Sequence, residues 1–272
     1  MSKGSHHGPS AEPLEARTLF TSPPPTVVEA FVGGSHWTQP FKDYLAGNVQ
    51  GASAEHGLSL NHTYAQGILP WVNLDRITLS FNAVVAVDQA DLTVRGVSVS
   101  QYPMAGFEYS SDPLLGSTAT WTLGRPLVSD RLLIRLDVDG PNGVRFGFFG
   151  TGKIDGDGDY QQGGDFVRRV DALPGGFGGS GPINARGLAY LRSMIGTSTT
   201  AEGSGKYSYA EWGDVDGSGR INVIDLAHLR YRLGDRLPTS QPSPAALPVE
   251  TATATFETTP IRIRPASREL FT

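Results

Sequence analysis

The stretch DVDGSGRINVID, residues 214–225, decides how the C-terminal part of this chain folds. Oxygen-bearing side chains stand at its first, third, fifth, ninth and twelfth positions, with glycine at the sixth and isoleucine at the eighth. Calcium takes about six to eight oxygen ligands, and glycine permits the sharp turn in the middle of a short binding loop. The stretch therefore predicts a site for one Ca²⁺ ion, with these ligands: Asp214, Asp216, Ser218, Arg220 through its carbonyl, Asn222 and Asp225.

A helix is expected directly after the loop. Apolar residues recur there at three- and four-residue steps from Val223 to Leu233, and Gly234 is a typical helix end. Asp225 would then close the ion cage from the first helical turn. One alternative is a solvated turn of Asp and Gly residues that binds no metal. In a weaker form of that alternative, the metal only stabilises the fold.

An upstream segment, residues 173–196, repeats the same frame without its acids. The positions that match the second loop and helix are Ser180, Gly181, Ile183, Asn184, Leu188, Ala189, Leu191, Arg192 and Gly196. Glycine replaces the ligands at positions one, three and twelve. Two neutral side-chain ligands cannot balance a divalent ion, so this loop is predicted to stay empty. We expect it to pair with the second loop through Ile183 and Ile221, with helices over 184–195 and 222–233.

The intact loop, its aspartate at position twelve and the sequence LAHLRYRLG (226–234) resemble a type I dockerin repeat. Dockerins carry two such repeats, so the resemblance implies an EF-hand-like helix pair over 173–237. Its degenerate repeat would be 173–196 and its intact repeat 213–234. The resemblance also implies a cohesin-like protein module as partner.

By the same resemblance, the partner contacts of the intact repeat would be made by Val223, Ile224, Arg230 and Tyr231. Ala185, Arg186, Arg192 and Ser193 occupy the same positions in the degenerate repeat. The alternative places Val223 in the core and the arginines on a solvated face.

Residues 26–150 show a different pattern, typical of half-buried antiparallel strands. Ile77, Leu79 and Phe81 alternate with polar residues, and residues 119–123 and 132–138 behave in the same way. The run 77–97 resembles the immunoglobulin-like sandwiches of bacterial surface proteins. The predicted fold is therefore mainly β plus a small α module: an antiparallel Ig-like β-sandwich followed by a dockerin-type helix pair. A short helix is expected near residues 37–45.

The remaining segments are rich in polar and small residues. Residues 1–25 are predicted to be a disordered leader, in which 12–22 resembles a segment near the start of many exported bacterial proteins; a plain polar tail is the alternative. Residues 151–172 are predicted to form a Gly- and Asp-rich linker with a short strand, where Asp155, Asp157 and Asp159 favour a hydrated turn over a second ion site. A flexible tail is expected over 238–272. The resemblance of residues 12–22 implies that the protein is exported, to the outside of the cell or to its surface.

Composition narrows the function. The net charge of −5 gives no electrostatic case for nucleic acid, the chain has no cysteine, and no stretch is apolar enough to span a bilayer. No nucleophile, phosphate-loop or zinc-hydrolase motif occurs, so an enzyme is not expected. Two functions stay open: docking onto another protein, or a part in polysaccharide catabolism. In the second, Trp37, Trp71 and Trp121 would contact sugar on the sandwich instead of packing in its core.

Overall fold

The computed structural model describes residues 23–62, 67–147, 150–177, 181–200 and 208–243. Its strands are β1 (Val27–Gly33), β2 (Leu58–Ser59), β3 (Ile68–Leu69), β4 (Arg76–Phe81), β5 (Val85–Ala86), β6 (Leu92–Gly96), β7 (Met104–Asp112), β8 (Gly116–Leu123), β9 (Asp130–Leu136), β10 (Arg145–Phe146), β11 (Gly152–Lys153) and β12 (Phe166–Ala172). Its helices are α1 (Gln39–Asn48), α2 (Ala185–Met194) and α3 (Val223–Tyr231). The mainly β, antiparallel character predicted from the sequence is confirmed.

The larger sheet has five strands in the order β2-β1-β4-β8-β7. Strand β4 lies at its centre and pairs with β8 so that Ile77 stands opposite Trp121 and Leu79 opposite Ala119. These four side chains belong to the hydrophobic core, whereas the intervening Thr78 and Thr120 share a hydroxyl hydrogen bond (2.9 Å) on the other face of the sheet, as alternation requires. The period-two pattern of the sequence therefore identifies the inner face of this sheet.

The second sheet has four strands in the order β3-β12-β9-β6, and a small third sheet joins β11, β10 and β5. Strand β12 pairs with β9 over its whole length, from Phe166 opposite Leu136 to Ala172 opposite Asp130. The segment 151–172 is thus part of the sheets and not a spacer between two bodies, because its strand supplies hydrogen bonds that β9 needs on that side.

One continuous hydrophobic cluster runs through the described part of the chain, from Ala30 to Leu237. Three tryptophans are buried in this cluster: Trp37, Trp71 and Trp121. They therefore pack in the core, which was the alternative to contact with sugar. The same cluster includes residues of both C-terminal helices, among them Leu191 and Leu229. All the elements belong to one compact unit, which ends at Pro242. Side chains of the helical segment therefore complete the core of the β domain.

The helices α2 and α3 pack against each other, and each begins at an asparagine whose side chain caps it, Asn184 and Asn222. Ile183 and Ile221, through which the two loops are expected to pair, form no backbone hydrogen bond with each other. Ile183 instead exchanges hydrogen bonds with Gly234 and Asp235, just after α3, and Ile221 does so with residues 196 and 197, just after α2. The end of each helix lies beside the loop of the other repeat. Ile183 of the first loop therefore contacts the end of α3, and Ile221 of the second loop contacts the end of α2.

Several predictions fall on residues outside the described ranges: most of the leader, including 12–22, the tail from 244 onward, and Ser180 of the degenerate loop. The first part of the predicted tail is described, and there Arg169 of β12 donates a hydrogen bond to the carbonyl of Pro242 (3.4 Å). None of the described helices has the length and apolar character needed to cross a bilayer.

Candidate metal centre

Asp214 opens the loop and is completely buried. Its two carboxylate oxygens accept hydrogen bonds from the backbone N–H of Ser218 (2.9 Å) and of Gly219 (2.6 Å). The chain can fold back over the carboxylate because Gly217 and Gly219 have φ of 70° and 83°, a region that side-chain-bearing residues rarely adopt. The glycine spacing in the sequence thus sets the curvature of the loop.

Two further carboxylates converge on Asp214. One oxygen from each of Asp214, Asp216 and Asp225 lies within 4.8 Å of the other two. Asp225, in the first turn of α3, is also fully buried and accepts from the backbone N–H of Asn222 (2.8 Å) and of Asp216 (3.3 Å). The structure therefore brings together the first, third and twelfth positions of the predicted cage.

The electrostatics of this cluster favour a bound cation. Burial raises the pKa of Asp214 to about 7 and that of Asp225 to about 6, and repulsion between the carboxylates adds to both increases. Within the described part of the chain, no Lys, Arg or His forms an ion pair with Asp214, Asp216 or Asp225. Oxygen donors alone, close together and without a protein countercharge, are the donor set that fits Ca²⁺.

The other predicted ligands differ in their placement. The hydroxyl of Ser218 lies between the Asp214 carboxylate (3.3 Å) and the carbonyl of Arg220 (3.1 Å), so positions five and seven adjoin the cluster. The side-chain oxygen of Asn222 instead accepts from the N–H of Ile224 (2.7 Å) as the helix cap. In calcium loops the ninth position often acts through a water molecule, which suits a side chain already used as a cap.

Tyr209 is a site residue that sequence reasoning missed. Its buried hydroxyl donates a hydrogen bond to Asp214 Oδ2 (2.7 Å), and burial next to that carboxylate raises the pKa of Tyr209. A tyrosine five residues before the first ligand carries no motif signal, and only the three-dimensional structure shows its role.

The degenerate loop offers no comparable cluster in its described residues. Gly175 lies against Leu229, and Gly187 of α2 lies against the ring of Phe177. Glycine at position 175, where a Cβ atom would lie 2.5 Å from Leu229 Cδ1, lets the first loop pack closely against α3. The prediction of a single ion rests on this difference between the repeats.

Asp155, Asp157 and Asp159 form the other acidic group found among the described residues. Asp155 is buried and accepts hydrogen bonds from the backbone N–H groups of Gly158, Asp159 and Tyr160, while Asp157 and Asp159 are exposed. These backbone bonds shape the turn, and the expectation of a hydrated turn in place of a second ion site stays a prediction.

The residues predicted to contact a partner all lie on the surface. Val223 is 68% exposed, Ile224 54% and Tyr231 87%, and Arg230 is exposed as well. Val223 is therefore not a core residue, which removes one alternative weighed for it. Apolar side chains are thus exposed at both ends of α3.

An aromatic groove lies beside α2. The rings of Tyr190 and Trp212 are stacked at 5.3 Å, and Phe177 packs against Trp212 at 4.8 Å. These rings line a cavity of about 930 Å³, together with Asn184, which caps α2, and Arg186 of that helix. Sequence analysis did not join these aromatic residues into one surface, because they come from three separate segments.

Comparisons of the chain with protein-family models and with curated proteins gave no match. The geometry of the loop and the surface around it therefore carry the functional argument.

Proposed function

We propose that this chain is an exported calcium-binding protein whose dockerin-like helical module docks onto a cohesin-like partner at the cell surface. The observation that carries the proposal is the meeting of three carboxylate oxygens within 4.8 Å in a loop whose sequence places calcium ligands at fixed offsets. The proposed role uses one Ca²⁺ ion and requires no catalysis. The immunoglobulin-like character of the β-sandwich is part of the same proposal.

The burial of the loop supports the calcium part of the proposal. Placing ionised carboxylates in the interior without a countercharge is costly, and a divalent cation removes most of that cost. The residues that would hold the ion are Asp214, Asp216 and Asp225, with Ser218 and the Arg220 carbonyl beside them. When bound, the ion supplies positive charge that fixes the loop against the start of α3.

The surface of α3 supports the docking part. Val223 and Ile224 directly precede the ligand Asp225, so an ion that fixes Asp225 also fixes the first turn that displays them. Their degenerate counterparts are Ala185 and Arg186, which offer less apolar area. We therefore assign the docking face to the intact repeat alone.

Isothermal titration of the full chain with Ca²⁺ tests the ion. We expect one ion per chain, and loss of uptake in Asp216→Asn, a ligand with few other contacts. Asp157→Asn is the matched control, because it alters an exposed aspartate of the other acidic group. Absence of uptake, or equal loss in both variants, would refute the site.

Biolayer interferometry against a panel of purified cohesin modules tests the partner. Binding should require calcium and should weaken at least about tenfold in Val223→Ser/Ile224→Ser. The control is Ala185→Ser/Arg186→Ser at the matching positions of the other repeat. Absence of binding to every cohesin would contradict the choice of partner. Equal weakening in the two double variants would contradict the choice of docking face.

A part in polysaccharide catabolism is the second candidate. The buried tryptophans of the sandwich do not favour it, but the stacked rings of Tyr190 and Trp212 in an open groove do, because exposed aromatic faces can stack on sugar rings. Affinity gel electrophoresis in soluble xylan, β-glucan or pectin would show retardation that Tyr190→Ala removes. Equal mobility in every polysaccharide would exclude this candidate for those glycans.

A further inference from the structure

The outer edge of the calcium loop is held by the β domain. The backbone N–H of Val72, before β4, donates to the carbonyl of Val215 (2.9 Å). The backbone N–H of Thr38 donates to the carbonyl of Gly217 (3.0 Å), and the Thr38 hydroxyl donates to the same oxygen (3.3 Å). Thr38 is the N-cap residue of α1, yet its hydroxyl makes no capping bond to that helix. The loop thus has hydrogen-bond donors from two distant segments on its outer edge.

Close packing accompanies these bonds. A Cβ atom on Gly217 would lie 2.2 Å from Cδ1 of the Trp37 ring, so only glycine allows this approach. Trp37 packs edge-on against both Phe41 of α1 and Trp71. The indole N–H of Trp71 also donates to the carbonyl of Glu211, just before the loop (3.0 Å). The aromatic cluster of the β domain is therefore in direct contact with the backbone that carries the metal ligands.

A third connection reaches a ligand itself. The ring of Tyr44 on α1 meets the ring of Tyr209 edge-on, with centroids 4.8 Å apart. Tyr209 in turn donates its hydroxyl hydrogen to Asp214 Oδ2. Two contacts thus connect α1 with the first position of the cage.

From these contacts we infer that the calcium loop is also the seam that joins the helical module to the β domain. Residues 38 and 72 hold the carbonyls at loop positions two and four, and these positions alternate with the ligands at one, three and five. Ion binding and the packing of α1 and the tryptophan cluster are therefore coupled, and by reciprocity each strengthens the other. This inference rests on the proposed calcium site. It adds that the β domain of the same chain packs against the calcium loop and supports it.

Hydrogen–deuterium exchange of the full chain, with calcium and with chelator, tests the coupling. Calcium should slow exchange at least about tenfold in peptides that report the amides of Thr38 and Val72, as well as in the loop itself. Protection confined to residues 208–233 would overturn the inference and leave the calcium site intact. If titration shows no calcium uptake, the proposed function fails, and this inference fails with it.

A pair of tyrosine variants gives an independent test away from the ligands. Tyr44→Ala should weaken calcium binding about threefold to tenfold, because it removes the ring that positions Tyr209. Tyr109→Ala is the control, since Tyr109 is a partly exposed β7 residue whose hydroxyl bonds to the Val85 carbonyl. Equal calcium affinity in the two variants, each checked for folding by circular dichroism, would overturn the inference.

Discussion

Removing calcium should lower the melting temperature of the whole compact unit. A ligand that binds only the folded state stabilises it by RT ln(1 + [Ca]/Kd), which is about 2.7 kcal/mol at one hundred times Kd. The hydrophobic cluster runs from the sheets into α2 and α3, so we expect one transition for the unit that ends at Pro242. For a unit of that size, about 1 kcal/mol moves the melting temperature by about 2–4 °C. The expected shift is therefore about 5–11 °C.

Differential scanning calorimetry with saturating calcium and with chelator measures this shift. Asp214→Ala removes the carboxylate at the first position and should melt at the same temperature in both solutions. Asp157→Ala keeps the loop intact and should retain the full shift. An unchanged melting temperature for the wild-type chain would refute the calcium argument. Two separate transitions, of which only one responds to calcium, would refute the shared core.

Three further outcomes follow from the site. Tyr209→Phe removes only the hydrogen bond to Asp214, so the free energy of unfolding measured in urea should fall by about 1 kcal/mol; an unchanged free energy of unfolding would show that the hydroxyl is dispensable. The raised pKa values of the two buried carboxylates mean that the chelated protein binds more protons folded than unfolded, so its stability falls as pH rises from about 4 to about 7. Calcium competes with those protons for the carboxylates, so calcium binding should strengthen over the same pH range. The calcium-induced shift in melting temperature should therefore grow between pH 5 and 8. A constant shift would contradict the raised pKa values. Gly217→Ala should destabilise the calcium-loaded chain by more than Gly234→Ala, since both glycines have positive φ but only the first would bring a Cβ against Trp37; equal unfolding midpoints in urea would contradict that packing.

The shape of the loop 214–225 can be predicted from the sequence because its determinants are local. Ligand positions, the glycine at the turn and the start of α3 all lie within residues 214–225, and backbone geometry converts their spacing into a cluster. Strands β4, β8 and β9 are predictable for the same reason, since alternation is a property of consecutive residues. The short helix expected near residues 37–45 likewise corresponds to α1.

Contacts between distant segments could not be predicted in this way. Nothing in the sequence near Thr38 or Val72 indicates that their backbone groups bind a loop more than 140 residues later. Ile183 and Ile221 each form backbone hydrogen bonds with the residues that follow the other repeat's helix, and this depends on how α2 and α3 pack. The repeat pattern alone suggests instead that the two isoleucines pair with each other. The Gly- and Asp-rich residues before β12 gave no indication that this strand pairs within a sheet.

The different packing of the two loops gives a reason why only one keeps its acids. In the first repeat, Gly175 lies against Leu229 and Gly187 against Phe177, so apolar contact holds the loop against the helices. In the second repeat, the loop lies between α3 and the β domain, where Asp214 and Asp225 are buried and form no ion pair with any Lys, Arg or His that the structure describes. Apolar contact cannot balance that charge, whereas a divalent ion can. We therefore propose that the first loop folds without a metal, while the second gains stability from a bound calcium ion.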